Sequence, residues 1–199
     1  MTSLPRYRGV LVFVTVGTDH HRFDRLMDWM EVWLDDPGLA GVRCVIQHGA
    51  SRPVAGAECH EFLPHDRMRE MFSLATVVVT QGGPGSIAES RAAGRLPIVV
   101  PRIPELGEVV DDHQLRFARH LAERDRIALA ETGGTLFAHL DGALTNPAGY
   151  TVEPGTDETG EAVARFAGLV DSLLRDKSSR TRSRLTEGRS TRGRRSRLR

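Results

Sequence analysis

Short apolar runs alternate with helical spacings along most of the chain. Val10 to Val16 carries the run LVFVTV, dense in β-branched residues, and predicts a buried strand. Phe23, Leu26, Met27, Met30, Trp33 and Leu34 then recur at helical spacing and form one apolar helix face, which Asp35-Asp36-Pro37-Gly38 ends. Val42 to Gln47 predicts a second strand and Ala57 to Leu63 a shorter third. A small helix over Asp66 to Leu74 leads into a fourth strand, Ala75 to Val79. Pro97 to Val100 is a fifth strand, and Ile127 to Ala130 is a candidate sixth. Helices are expected over Gly85 to Ala93, Asp112 to Glu123, Thr135 to Asp141 and Thr159 to Leu174. Residues 142–158 show no periodicity and are expected to run as a surface loop.

Strands alternating with helices are the mark of a parallel sheet covered on both faces. The expected fold is α/β, a single Rossmann-like domain with a parallel sheet. It is roughly half of what a two-domain enzyme of that architecture needs, and no internal repeat supplies a second copy.

Charge divides the 199 residues. Residues 1–174 carry a formal charge of −8 and residues 175–199 one of +9, although the whole chain sums to +1. The last 25 residues contain two Leu and no aromatic residue, a composition expected to stay disordered. The expected domains are therefore a Rossmann-like domain, 1–174, and a basic tail, 175–199. No apolar run reaches the length of a membrane span, and the start lacks the architecture of a signal peptide. Cys44 and Cys59 are too few for a disulfide scaffold and are expected as core or near-core thiols in a reducing compartment.

The segment Thr80-Gln81-Gly82-Gly83-Pro84-Gly85-Ser86-Ile87-Ala88-Glu89 follows a strand and opens a helix. Its three glycines are expected to let the backbone turn tightly and approach a ligand, and the helix start offers free N–H groups to an anion such as a diphosphate. The segment is not a P-loop: it lacks the Lys-Ser/Thr ending, and Lys177 is the sole lysine of the chain. Nor does it follow the first strand, as a dinucleotide fingerprint does. Glu89 has two readings: it closes a capping box with Ser86, or it binds a sugar's vicinal hydroxyls one turn from the phosphate-binding amides.

Thr80–Glu89, then Gly94-Arg95-Leu96-Pro97-Ile98-Val99-Val100-Pro101, then Asp111-Asp112-His113-Gln114, resembles the nucleotide-sugar-binding half of inverting GT-B glycosyltransferases. The nearest resemblance is to the family-28 C-terminal domain. Within it, the chain looks like the small stand-alone catalytic subunits of two-component enzymes. One such subunit joins a membrane-bound partner to add the second N-acetylglucosamine of the dolichol-linked oligosaccharide, and bacterial relatives act in exopolysaccharide assembly. Phe13-Val14-Thr15-Val16-Gly17-Thr18 and Phe23-Asp24-Arg25-Leu26 are similar to the start of those subunits. The resemblance covers residues 10 to about 125.

What it implies can be stated residue by residue. Gly82, Gly83, Gly85 and Ser86 would cradle the diphosphate of a UDP-sugar, and Glu89 would bind the uridine ribose. His113 and Gln114 would contact the donor sugar or phosphates. Gly17 and Thr18 match the loop that faces the donor cleft and the acceptor side. Two positions depart from the family: Gln81 stands where relatives usually have His, and Pro84 where a small residue is more common. Both put the donor geometry in question and leave a non-catalytic nucleotide-sugar-binding or scaffolding subunit open as an alternative.

Inverting transfer needs a base near the acceptor hydroxyl. His20 and His21, in the loop after the first strand, are the candidates, with Asp19 as the base itself or as the group orienting one of them; two surface histidines is the plainer reading. Asp111 and Asp112 read as an N-cap pair. Arg102 either faces a phosphate or is solvated, and His48, His60 and His65 read as surface or packing residues. No His, Cys, Asp and Glu spacing is a convincing metal motif, so no metal or other cofactor is expected.

Half a GT-B enzyme implies a partner. The resemblance makes it a membrane-anchored, acceptor-binding subunit and the acceptor a lipid-linked saccharide, with the chain cytoplasmic and peripheral at the inner face of the membrane. The helix over Thr159–Leu174 is a candidate partner surface or packs back on its own core. The tail is expected to touch anionic lipid, to bind nucleic acid nonspecifically, or to be a solubilising end. Without aromatics for base stacking, nucleic acid ranks last.

Overall fold

Residues 9–154 are described by the computed structural model of the chain. The expected helix over 159–174 and the basic tail over 175–199 lie outside the described residues.

Six strands appear in the expected order: β1 (Leu11–Thr15), β2 (Arg43–Gln47), β3 (Glu58–His60), β4 (Val77–Gln81), β5 (Ile98–Val100) and β6 (Ala128–Leu129). All pair in parallel, in the spatial order β3-β2-β1-β4-β5-β6. Five helices connect and cover them: α1 (Asp24–Leu34), α2 (His65–Leu74), α3 (Pro84–Ala92), α4 (His113–Ala122) and α5 (Gly133–Thr145).

Alternate residues of each central strand enter different cores, as a period of two dictates. Val12 and Val14 of β1, Cys44 and Ile46 of β2, and Val77 and Val79 of β4 pack against Leu26, Met27 and Met30 of α1 and Leu136 and Leu140 of α5. The intervening Phe13, Val45 and Val78 meet Met71 and Phe72 of α2, with Phe13 and Phe72 edge to face at 5.2 Å. Ile87 of α3 and Ala118 and Leu121 of α4 close over Val99. The strands are apolar on both faces because both faces are covered.

Several element ends shift from expectation, the third strand shortening to Glu58–His60 among them, and two of the shifts alter the core or the site. Residues 142–158 are not a plain loop over their described part. Ala143 and Leu144 are buried, so α5 runs on to Thr145, and a single 3₁₀ turn follows over Pro147–Tyr150. Thr151 then bridges to Arg95, while Leu96 N–H donates to Tyr150 O at 2.9 Å. The α5 start also moves, to a reciprocal cap between Thr132 and Thr135. The second difference bears on the site: β4 ends at Gln81 rather than Val79, which draws Gln81 out of the turn and into the sheet.

Candidate functional site

Strand order sets the location. β1 sits between β2 and β4, so the connections from the two central strands depart toward opposite flanks of the sheet and leave a crevice at their carboxyl ends, where open α/β sheets bind ligands. The loop after β1 and the Gly-rich turn after β4 both open there. The loop after β5 leads from the same edge into α4.

Each central strand ends in a polar residue, and these hold the crevice floor. Thr15 Oγ1 donates to Gln47 Oε1 at 2.7 Å, and Gln47 Nε2 donates to the carbonyls of Gly17 and Glu61 at 3.0 and 2.9 Å. Thr80 Oγ1 donates to Gln81 Oε1 at 2.8 Å. All four of these side chains are buried. Gln47 carries no motif and Thr15 stands only within the Phe13–Thr18 run; the signal at both is a polar residue closing an otherwise apolar strand.

Gly17 turns the chain out of β1 with φ +74, a region that disfavours side chains. A Cβ there would collide with Gln81 Nε2, so the β1 loop and the end of β4 are in direct contact. Thr18 is exposed. Asp19 Oδ1 accepts from the His21 backbone N–H at 2.9 Å and from His21 Nδ1 at 2.6 Å. His20 stacks beside His21 with ring centroids 4.0 Å apart, but its side chain is 87% exposed against 24% for His21. His21 is therefore the oriented imidazole of the two. Burial pushes the Asp19 carboxyl up. The His21 amide and ring and the charge of Arg102 outweigh it, and hold Asp19 below the ordinary carboxylate range.

Glycines in the turn after β4 act through closeness, not through a left-handed backbone. Gly82, Gly83 and Gly85 all avoid positive φ. Gly82 is needed because Gln114 of α4 lies against it: a Cβ there would stand 3.0 Å from Gln114 Cβ and from its backbone oxygen. At Gly83 a Cβ would come within 2.8 Å of Gln81 Nε2, whereas Gly85 faces open space. Pro84 takes the first position of α3, where a missing N–H costs little.

The capping box expected of Ser86 and Glu89 does not form. Gly83 caps α3 without a side-chain bond, Ser86 is the third helical residue, and the Glu89 carboxylate has no hydrogen bond or ion pair among the described residues. The first-turn N–H groups thus stay open toward the crevice edge. Gln114 is half-buried, and its Oε1 is shielded from solvent with no partner. His113 is exposed. Its N–H donates to Asp111 Oδ1 at 3.1 Å, while Asp112, the capping residue by position, gives its carboxylate to Arg116 instead.

Arg102 overturns both expectations for it, since it is neither solvated nor open to a phosphate. It is fully buried, and its guanidinium lies 4.8 Å from the centre of the Phe23 ring. Nη1 donates to the carbonyls of His21 and Glu108, both at 2.9 Å, and Nη2 donates to the Val16 carbonyl at 3.0 Å. Arg25 pairs with the buried Glu108 carboxylate through Nε and Nη2 at 2.9 and 2.8 Å and also donates to the Pro101 carbonyl. In the sequence Arg25 stands out only as part of Phe23-Asp24-Arg25-Leu26, and Glu108 carries no motif. His48 and His60 bond locally, to Ser51 O and to Glu58, and His65 is exposed.

One group with metal-ligating side chains forms in space without a motif spacing in the sequence. Oδ1 of Asp19 and ring nitrogens of His20 and His21 come within 4.8 Å of one another, the one such cluster among the described residues. One carboxylate and two imidazoles suit a zinc-like ion. Arg102, a fixed positive charge acting on Asp19, opposes one.

Residues 11–162 match the profile of the glycosyltransferase family 28 C-terminal domain. The chain is similar in structure to the glycotransferase of kitacinnamycin, with a TM-score of 0.54 and 19% identity over 82% of this chain and 40% of that one. It is also similar to CalG4, the calicheamicin glycosyltransferase, with a TM-score of 0.50 and 14% identity over 87% of this chain and 44% of that one. MurG of Acinetobacter baumannii aligns with a TM-score of 0.47 and 18% identity over 82% and 50%. The chain thus spans half or less of each solved relative. At these identities the first two show a shared fold. No curated protein sequence matches the chain.

Proposed function

The chain belongs to the glycosyltransferase family 28 C-terminal domain family, and on that premise we propose that it is the catalytic, donor-binding subunit of an inverting glycosyltransferase. In this reading it moves a hexose or N-acetylhexosamine from a UDP-sugar to a lipid-linked acceptor in polysaccharide or glycoconjugate assembly. The observation that carries it is the convergence of three elements at the β1/β4 crevice: the oriented Asp19–His21 pair, the uncapped start of α3, and Gln114 with its unpartnered Oε1.

The roles follow from what each group can offer. The first-turn N–H groups at Gly85 and Ser86 receive the diphosphate, with the glycines at 82 and 83 allowing close approach. Glu89, free of any capping duty, accepts from the ribose hydroxyls. Gln114 Oε1 accepts from a hydroxyl of the donor sugar. As the acceptor oxygen bonds to the anomeric carbon, the bond to the diphosphate breaks, UDP leaves with the electron pair, and His21 Nε2 takes the acceptor proton. Asp19 holds the ring through Nδ1 and stabilises the imidazolium. The reaction proceeds without a metal in this reading, since α3 supplies the stabilisation of the leaving diphosphate.

The chain spans half or less of its solved relatives, and in this reading the acceptor side belongs to a partner. We assign that side to a membrane-anchored subunit, which places the chain at the inner face of the membrane, with the basic tail against anionic lipid. Among the described residues no helix is long and apolar enough to cross a membrane.

The test is transfer to a lipid-diphosphate-saccharide acceptor by the chain co-expressed with its partner, over a panel of UDP-sugars. Turnover that disappears in Glu89→Ala supports the reading. Donor binding without transfer, in every reconstitution, overturns it and leaves a nucleotide-sugar-binding subunit.

A further inference from the structure

We propose that Arg102 is a positioning residue that holds the Asp19–His21 pair in its working geometry by fixing both ends of the loop that carries it; this rests on the reading of that pair as the base. The loop runs from Val16, just past the end of β1, to His21 five residues on. One planar guanidinium donates to the carbonyls at both ends, 3.0 Å from Val16 O and 2.9 Å from His21 O. With the His21 backbone held, its N–H and its ring both reach the same Asp19 oxygen, at 2.9 and 2.6 Å.

A wholly buried guanidinium is a costly way to fill space. Removing such a charge from water costs several kcal/mol before compensation, and a well-packed apolar residue of similar volume is often as stable or more so. An apolar side chain could fill the room beside Phe23, but it could not donate to two carbonyls at once. Arginine can, because its donors leave a rigid plane in fixed directions.

The third bond ties this arrangement to the next loop. Arg102 Nη1 also donates to the Glu108 carbonyl, and the Glu108 carboxylate is held in turn by Arg25 and by the Ile103 N–H. Arg102 thus stands on an anchored segment and holds a loop that spans the crevice edge. The groups facing His21 are Asp19 and His20 on its own loop and Arg102 from the β5 side.

Long-range ¹H–¹⁵N correlation spectra of the full chain, labelled at its eight histidines, provide the test. His21, assigned by the signal lost in His21→Asn, is expected as the Nδ1–H tautomer in the native chain. Arg102→Lys and Arg102→Gln keep a polar group but not the fork. Each is expected to return His21 to the Nε2–H majority of free imidazole. In the transfer assay Arg102→Lys is expected to lower kcat at least tenfold with donor KM within twofold. A folded variant that retains the Nδ1–H tautomer overturns the proposal.

Should both variants fail to fold, backbone relaxation of the native chain decides. Order parameters near 0.85 across residues 17–21 support a held loop, and values below about 0.6 overturn it. Unchanged turnover in His21→Asn would defeat the assignment of the base instead, while the tautomer would still report on Arg102.

Discussion

Replacing Gly17 with alanine tests the geometry of the crevice floor. Two costs are expected. An L-residue at φ +74 loses about 1–2 kcal/mol relative to glycine. The new Cβ also lands on Gln81 Nε2, and the Gln81 amide can retreat only by loosening the bond that its Oε1 accepts from Thr80 Oγ1 at 2.8 Å. A net hydrogen bond of that kind is worth about 1 kcal/mol. Together they put the loss at about 2–3 kcal/mol, or roughly 4–12 °C in Tm for a domain of this size. Gly85 is the internal control: it sits in a helix, avoids positive φ and faces open space, so Gly85→Ala should change stability by between 0 and about +1 kcal/mol. Urea unfolding followed by far-UV circular dichroism and by the fluorescence of Trp29 and Trp33 measures both. Combining Gly17→Ala with Gln81→Ala should recover about 1 kcal/mol relative to additivity, because the colliding amide is gone. The reasoning is refuted if Gly17→Ala stays within 0.5 kcal/mol of the native chain, or if Gly85→Ala proves the more damaging of the two.

Acid stability follows from the carboxylates. Asp19 is held below the ordinary range despite its burial, Glu58 is lowered by Arg43 and His60, and Glu131 is lowered by Arg119. A depressed folded value contributes stability that is complete above the unfolded value, near pH 4, and is lost as the pH falls through the folded one. Tm should therefore hold above about pH 5 and drop below about pH 4, more gently in Asp19→Asn; an identical acid limb in that variant would remove Asp19 from the account. Burial pushes the Cys44 thiol up to about 12, so iodoacetamide should label Cys59 in the native chain and reach Cys44 on unfolding. Peptide mass mapping with and without urea reads this directly, and native labelling of Cys44 contradicts its burial. EDTA should leave transfer unchanged; loss of turnover restored by zinc would instead assign the Asp19–His20–His21 group to a metal.

Most of the fold could be read from the chain because the sheet is covered on both faces. Runs such as LVFVTV and VVVT have no other economical fate than a buried strand, and their alternation with 3.6-residue apolar spacing leaves few architectures open. The candidate site was legible in part for a similar reason: glycines followed by a helix start at a strand end are local features. The sequence left open where a helix begins, and it missed outcomes decided by a neighbour distant in the chain. Ser86 and Glu89 satisfy the capping-box spacing, yet the helix begins earlier, at Pro84, and Gly83 takes the cap. Residues 142–145 lack a periodic pattern on their own, yet Ala143 and Leu144 complete a core built mainly from β1, β4 and α1.

The succession of strands and helices along the chain, the place of the Gly-rich turn and that of the His-His loop were determined by the sequence itself, through apolar periodicity and local composition acting over a few residues. What only the tertiary structure decided is which of those parts meet. Gln81 stands against Gly17 because β1 and β4 pair side by side, although 64 residues separate them. His21 rather than His20 is oriented because its Nδ1 reaches Asp19 Oδ1 at 2.6 Å, against 3.5 Å for His20. Arg102 is a clamp rather than a surface charge because the end of β5 brings it, across 81 residues, to the carbonyl of His21. An arginine after a strand looks the same in sequence whether it meets water or a ring of carbonyl oxygens. Its burial is settled by the partners that the fold brings to it.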